Sequence, residues 1–198
     1  MKEHQHVAIV PSEKVVSKAK KVSKPESSRK GEPAFIMDDG MRRLSTPWSV
    51  ATIRAGQIDP MSIPAGVILD AAVGSGVQLI ALSRLLKRPA LGIELDEQIA
   101  TLCAANIRIN SEGEAQRNLD RVLIGDGSNA DSAIAEYWSS LRDAGTRAHP
   151  PIAMLHLDPA RPRDAQNHEL EEMKPDLKSV LKAWSPHLQN GPRGPAVL

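Results

Sequence analysis

Four acidic residues each close a short apolar run. Asp70 ends Val67-Ile68-Leu69-Asp70, and Glu94 ends Ala90-Leu91-Gly92-Ile93-Glu94. Asp126 follows Arg121-Val122-Leu123-Ile124-Gly125, and Asp158 follows Ile152 to Leu157. One acid after a strand is unremarkable, because Asp commonly begins turns. Four in register describe a shared polar rim. A carboxylate there can accept two hydrogen bonds at once, which suits a sugar diol. It can also orient or deprotonate an acceptor group. The first run leads into Asp70-Ala71-Ala72-Val73-Gly74-Ser75-Gly76, a D-x-x-x-G-x-G turn from strand to helix. Gly74 and Gly76 let the backbone turn tightly and approach a ligand, so a side chain at either is expected to block binding. The N–H groups at the helix start suit a carboxylate or phosphate.

Two cofactor classes use such a turn. A dinucleotide site asks for G-x-G-x-x-G/A. Here the third position is Leu79, too bulky for close helix–strand packing. The pattern instead resembles motif I of class I S-adenosylmethionine-dependent methyltransferases. That resemblance implies S-adenosyl-L-methionine as the cofactor. It implies Glu94 on the two ribose hydroxyls, Asp126 beside the adenine amino group and Asp70 near the methionine amino end. Ala72, Gly74, Gly76, Leu95 and Gly127 complete the implied cofactor-binding set.

Asp158-Pro159-Ala160-Arg161 lies where these enzymes carry motif IV, beside the methyl to be transferred. Asp158 would orient the acceptor or act as general base, and Arg161 would hold a phosphate or carboxylate. Enzymes that methylate exocyclic amines usually show Asp/Asn-Pro-Pro and an aromatic there. Ala160-Arg161 lacks that stacking clamp. The segment Asp39-Gly40-Met41-Arg42-Arg43-Leu44-Ser45-Thr46-Pro47-Trp48-Ser49-Val50-Ala51 narrows the match. It resembles the D-G-L-R-x-A-T-P-x-x-V-A segment of a subgroup that also carries D-P-A-R at motif IV. That subgroup is described as RNA methyltransferases with a THUMP-like domain after the catalytic domain. RNA, ribosomal or transfer, is thus the implied acceptor. Met41, Ser45 and Pro162 depart from the subgroup pattern.

These residues need elements to hold them. The apolar runs alternate with stretches of helical spacing: Val77, Ile80, Ala81 and Leu85, then Ile99, Leu102, Cys103 and Ile107. Further helices are expected to about Arg142 and from Lys174-Pro175-Asp176 to Trp184. Alternation of this kind predicts an α/β protein, a Rossmann-like parallel sheet with helices on both faces. Ligands then bind beyond the carboxyl ends of the strands. Three regions are expected: a basic, disordered tail over 1–37, a helical segment over 38–66 and the Rossmann-like domain over 67–198. Thr46-Pro47 reads as cap and first residue of a helix through Gly56. Pro195 to Leu198 reads as the start of a fifth strand. A class I methyltransferase has seven, so an incomplete fold lacking any THUMP-like domain is expected.

Composition bounds the alternatives. The 198 residues carry 25 Lys+Arg against 24 Asp+Glu, a net of +1. Residues 1–32 hold eight basic and four acidic residues, so any whole-protein field is weak while the tail is basic. Three Trp, one Tyr and one Phe are too few for an aromatic RNA-stacking face. No apolar run reaches the ~18 residues of a membrane span. The single cysteine, Cys103, sits on a helix's apolar face and points to a buried thiol in a reducing, cytoplasmic setting. No zinc-ligand spacing appears; His4 and His6 lack a third ligand, so no metal is expected. His156 lies inside a strand and reads as packed. The competing readings are a non-catalytic domain that binds the cofactor or a partner, and a nucleotide-cofactor oxidoreductase.

Overall fold

The structure, a computed structural model, describes residues 5–111, 113–158, 173, 175–192 and 194–198. Its strands are β1 Val7–Ile9, β2 Val67–Asp70, β3 Ala90–Glu94, β4 Arg121–Ile124, β5 Ile152–His156, β6 Asn190–Gly191 and β7 Gly194–Val197. Its α-helices are α1 Glu13–Ala19, α2 Asp39–Leu44, α3 Trp48–Gly56, α4 Val77–Leu86, α5 Glu97–Asn110, α6 Glu114–Arg117, α7 Ala130–Asp143 and α8 Leu177–Trp184. The strands form one seven-stranded sheet in the order β1-β4-β3-β2-β5-β7-β6. The five central strands are parallel, as the alternating pattern predicts. The two edges are antiparallel, so the sheet is mixed. The architecture is α/β and compatible with a Rossmann-like fold.

Burial explains the central strands. All four residues of β2 and all five of β5 are buried, as expected where helices cover both faces. Their side chains alternate. Ile68 joins the core beneath α4 and α5, while Val67 and Leu69 join the core beneath α7 and α8. From β2 the chain steps outward through α4 to β3 and through α5 to β4. It then returns through α7 to β5, on the other side of β2. That reversal opens a crevice at the carboxyl ends of β2 and β5.

The helices follow their local signals. Asp96 caps α5 by accepting from the Gln98 and Ile99 amides, and Asp176 caps α8 through the Ser179 amide. α3 spans the expected residues but begins one position late: Pro47 takes the cap position and Thr46 lies outside. β7 pairs with β5 where a further strand was expected, Ala196 opposite Met154. Among the described residues, no helix is long and apolar enough to cross a membrane.

The expected disordered tail is corrected. β1 pairs with β4, Val7 opposite Ile124 and Ile9 opposite Val122. In α1, Val16 and Ala19 are buried while Lys14 and Lys18 face solvent. The basic composition belongs to the outer face of a helix whose inner face packs on α5. Farther on, Asn106 of α5 accepts from the Ile36 amide at 2.6 Å and donates to the Ile36 carbonyl at 3.0 Å. Satisfying both backbone groups of one buried residue fixes the chain before α2.

Candidate functional site

The turn after β2 is tied to the end of β3 by a single carboxylate. Glu94 Oε2 accepts from the Gly74 amide at 3.1 Å, and Oε1 accepts from the Asp96 amide at 3.1 Å. Burial pushes the Glu94 carboxyl up, against the pull of the Asp96, Gly74 and Leu95 amides. Two of its roughly four acceptor positions stay open to a ligand. Gly74 has φ +51°, and a Cβ there would point into open space, the cavity itself.

That cavity, ≈ 1100 Å³, lies at the carboxyl ends of the parallel strands. Asp70, Ala72, Gly74 and Glu94 line it, and so do Leu95, Asp126, Gly127 and Asp158. Leu95 is 73% exposed, an apolar side chain held open at the rim. Gly76 is the exception. Its φ is +80°, but a Cβ there would stand 2.8 Å from the Cys103 sulfur. The glycine serves the packing of α4 on α5, not the approach of backbone to ligand. Cys103 is fully buried, and burial drives its thiol well above the usual range.

Asp70 is deeply buried and doubly engaged. Its Oδ1 accepts from the Ala72 amide at 3.1 Å, and its Oδ2 lies 2.8 Å from His156 Nδ1. His156 is only 3% exposed, yet it lines the cavity. It is packed, as its strand position suggests, but the packing places it in the site. Burial works against a charged imidazole here. The neighbouring Asp70 charge and hydrogen bond outweigh that penalty, with help from Asp158, and the His156 pKa is raised.

Asp126 sits beyond β4 in an Asx turn, accepting from the Ser128 amide at 2.9 Å and hydroxyl at 2.7 Å. Its carbonyl lies 3.1 Å from His6 Nε2, and His6 Nδ1 lies 2.9 Å from the Ser132 hydroxyl. The amino-terminal strand therefore braces the loop that presents Asp126. Next to it, Gly127 presses against the Ala71 backbone, where a Cβ would collide with the carbonyl oxygen. The Trp184 indole holds the Gly127 carbonyl at 2.7 Å.

Asp158 is half exposed and lies 3.4 Å from Arg54 on α3. A surface pair of this kind contributes at most about 1 kcal/mol and leaves the carboxylate free to turn toward a ligand. Arg161 lies outside the described residues. Among the described residues, no group of three or more His, Cys, Asp or Glu could hold a metal ion.

Several site residues escape a reading by strand ends. Asp38 caps α2 and lines the cavity, as do Ser45 and Thr46 between α2 and α3. The Ser45 and Ser75 hydroxyls are hydrogen-bonded, which joins that segment to the start of α4. Gln78 of α4 and Ser179 of α8 complete the walls. The Asp39 to Ala51 segment was the available signal for the first group. Nothing in the spacing marks Gln78. No family model, curated protein or solved structure matches the chain.

Proposed function

We propose that the protein is an S-adenosylmethionine-dependent methyltransferase of the class I type, with RNA as its acceptor. One observation carries the reading. Six acids line the cavity, Asp38, Asp70, Glu94, Asp126, Asp158 and Asp176, while its described lining holds no lysine or arginine. Such a wall favours a ligand bearing positive charge and disfavours the pyrophosphate of a dinucleotide. S-adenosylmethionine carries a sulfonium and an ammonium against one carboxylate. Bound, it supplies an electrophilic methyl carbon on sulfur.

The chain's own residues divide the remaining work. Glu94 holds the ribose diol with the acceptor positions its two amide bonds leave open. Asp126 and the exposed Leu95 hold the base, one by hydrogen bonding and one by contact. Asp158 orients the acceptor atom and takes its proton where one must leave. Positioning of this kind can lower a displacement barrier by several kcal/mol. The acceptor assignment rests on the Asp39 to Ala51 resemblance and on the exposed Arg43, beside the cavity-lining Leu44. The lone buried Cys103 fits a cytoplasmic setting.

Titration calorimetry with S-adenosylhomocysteine and with NAD tests the donor. Binding of the first and not the second is expected; the reverse, or neither, overturns the reading. Incubation with labelled donor and ribosomal or transfer RNA tests the acceptor. Donor binding without label transfer to any RNA leaves a cofactor-binding domain in place of the enzyme.

A further inference from the structure

Gln78 is the second residue of α4 and is 7% exposed. Its side chain lines the cavity, yet its Nε2 has no hydrogen-bond partner among the described residues. Buried donors are nearly always paired, so an orphan on a cavity wall asks for an acceptor from a ligand. The helix end beside it makes the same request. α4 is capped by Gly76, which offers no side-chain acceptor, and its first turn holds no acid. The opening N–H groups of a helix have no partner within it, and their dipoles favour an anion. The Ser45–Ser75 hydroxyl pair brings further donors to this end of the cavity.

We propose that Gln78, with the uncapped first turn of α4, forms a subsite for a carboxylate: the amino-acid end of the donor. The inference deepens the methyltransferase reading and rests on it. A phosphate suits this place poorly, because two negative charges would face the cavity's six acids with no described lysine or arginine in its lining. A carboxylate carried by a molecule that is cationic elsewhere meets no such penalty. The subsite makes Gln78 the residue that selects a donor with its amino-acid end intact.

The test compares two probes by calorimetry. S-adenosylhomocysteine carries the carboxylate. S-adenosyl-3-thiopropylamine keeps the adenosine, the thioether and the ammonium but lacks it. Wild type should prefer the first. Gln78→Leu should weaken S-adenosylhomocysteine roughly tenfold, the scale of a lost hydrogen bond to a charged group, and leave the other probe within about twofold. Gln78→Glu keeps the shape and adds a charge, so it should weaken the carboxylate probe further and leave or improve the decarboxylated one. Melting curves establish that each variant is folded. If both probes bind wild type and the variants shift both equally, or neither, the subsite is overturned while the donor reading stands. If wild type binds neither probe, the donor reading fails and the subsite with it.

Discussion

The Gly74 amide donates to Glu94 Oε2 at 3.1 Å across 20 residues of sequence. One carboxylate thus shapes the glycine turn and faces the cavity. Glu94→Ala removes both functions. Lost charge-assisted hydrogen bonds contribute roughly 1.5–3 kcal/mol, so S-adenosylhomocysteine affinity should fall tenfold or more. The freed Gly74 amide lies against the cavity and can be hydrated, so the melting temperature should fall only modestly. Because burial raises the Glu94 carboxyl, affinity in the wild type should begin to fall, on acidification, above the ordinary glutamate range. Calorimetry from pH 4 to 8 reads both effects. Unchanged affinity in folded Glu94→Ala removes the residue from the site.

Gly74 and Gly76 should separate by assay. Gly74 opens on the cavity, so Gly74→Ala should weaken ligand binding, and its φ of +51° adds a strain of about 1–2 kcal/mol. Gly76→Ala drives a methyl into the Cys103 sulfur and adds similar strain, so its main loss is stability. Overpacking costs typically about 1–3 kcal/mol beyond the strain. Cys103→Ala removes that sulfur and should recover part of the loss in the double variant. Additive stability losses in a denaturant cycle would show that the two residues do not meet.

Much of this arrangement was legible in the sequence. Asp70, Glu94, Asp126 and Asp158 could be placed on one rim because each ends an apolar run, and parallel strands bring their carboxyl ends together. What was lost was lost to averaging or to distance. The net charge of residues 1–32 hides Val16 and Ala19, two apolar residues three apart that seat α1. His156 alternates with nothing polar in β5, and only the pairing of β5 with β2 sets it against Asp70. Gly76 shares a motif with Gly74, yet its demand comes from Cys103 on another helix. No local pattern carries that contact.

His6 and His156 should give opposite pH dependences. Burial lowers the His6 pKa, with Asp126 and Glu136 opposing. Its neutral form therefore supports the fold above the unfolded value of ~6.5, and that support is lost as pH falls through the depressed folded value. His156 is raised despite burial, by Asp70, so its support is full below ~6.5 and is lost as pH rises through the raised value. His6→Ala should cost ~1 kcal/mol for each of its two hydrogen bonds at pH 8 and flatten the acid arm. His156→Gln should flatten the alkaline arm. Denaturant melts from pH 5 to 9 check this; variants that change the same arm contradict the assignments.

Asp120 offers a cleaner titration, away from the cavity. It is 1% exposed, its Oδ1 accepts from the Ala90 amide at 2.8 Å, and its Oδ2 accepts from the Ser111 hydroxyl at 2.8 Å. Burial lifts its pKa from 3.8 to about 6, although those bonds and Arg121 pull the other way. The native state therefore holds the proton more tightly than the unfolded chain, and stability falls as pH rises from about 4 to about 6. A lift of that size corresponds to at most about 3 kcal/mol. Asp120→Asn keeps the acceptor for Ala90, and its amide can donate to the Ser111 oxygen once that hydroxyl turns. The buried Arg121 loses a neighbouring negative charge, which trims the gain. The variant should match wild type at pH 4 and exceed it at pH 8. Urea unfolding at pH 4, 6 and 8 measures the difference, and parallel pH profiles for the two proteins would show that Asp120 does not set this slope.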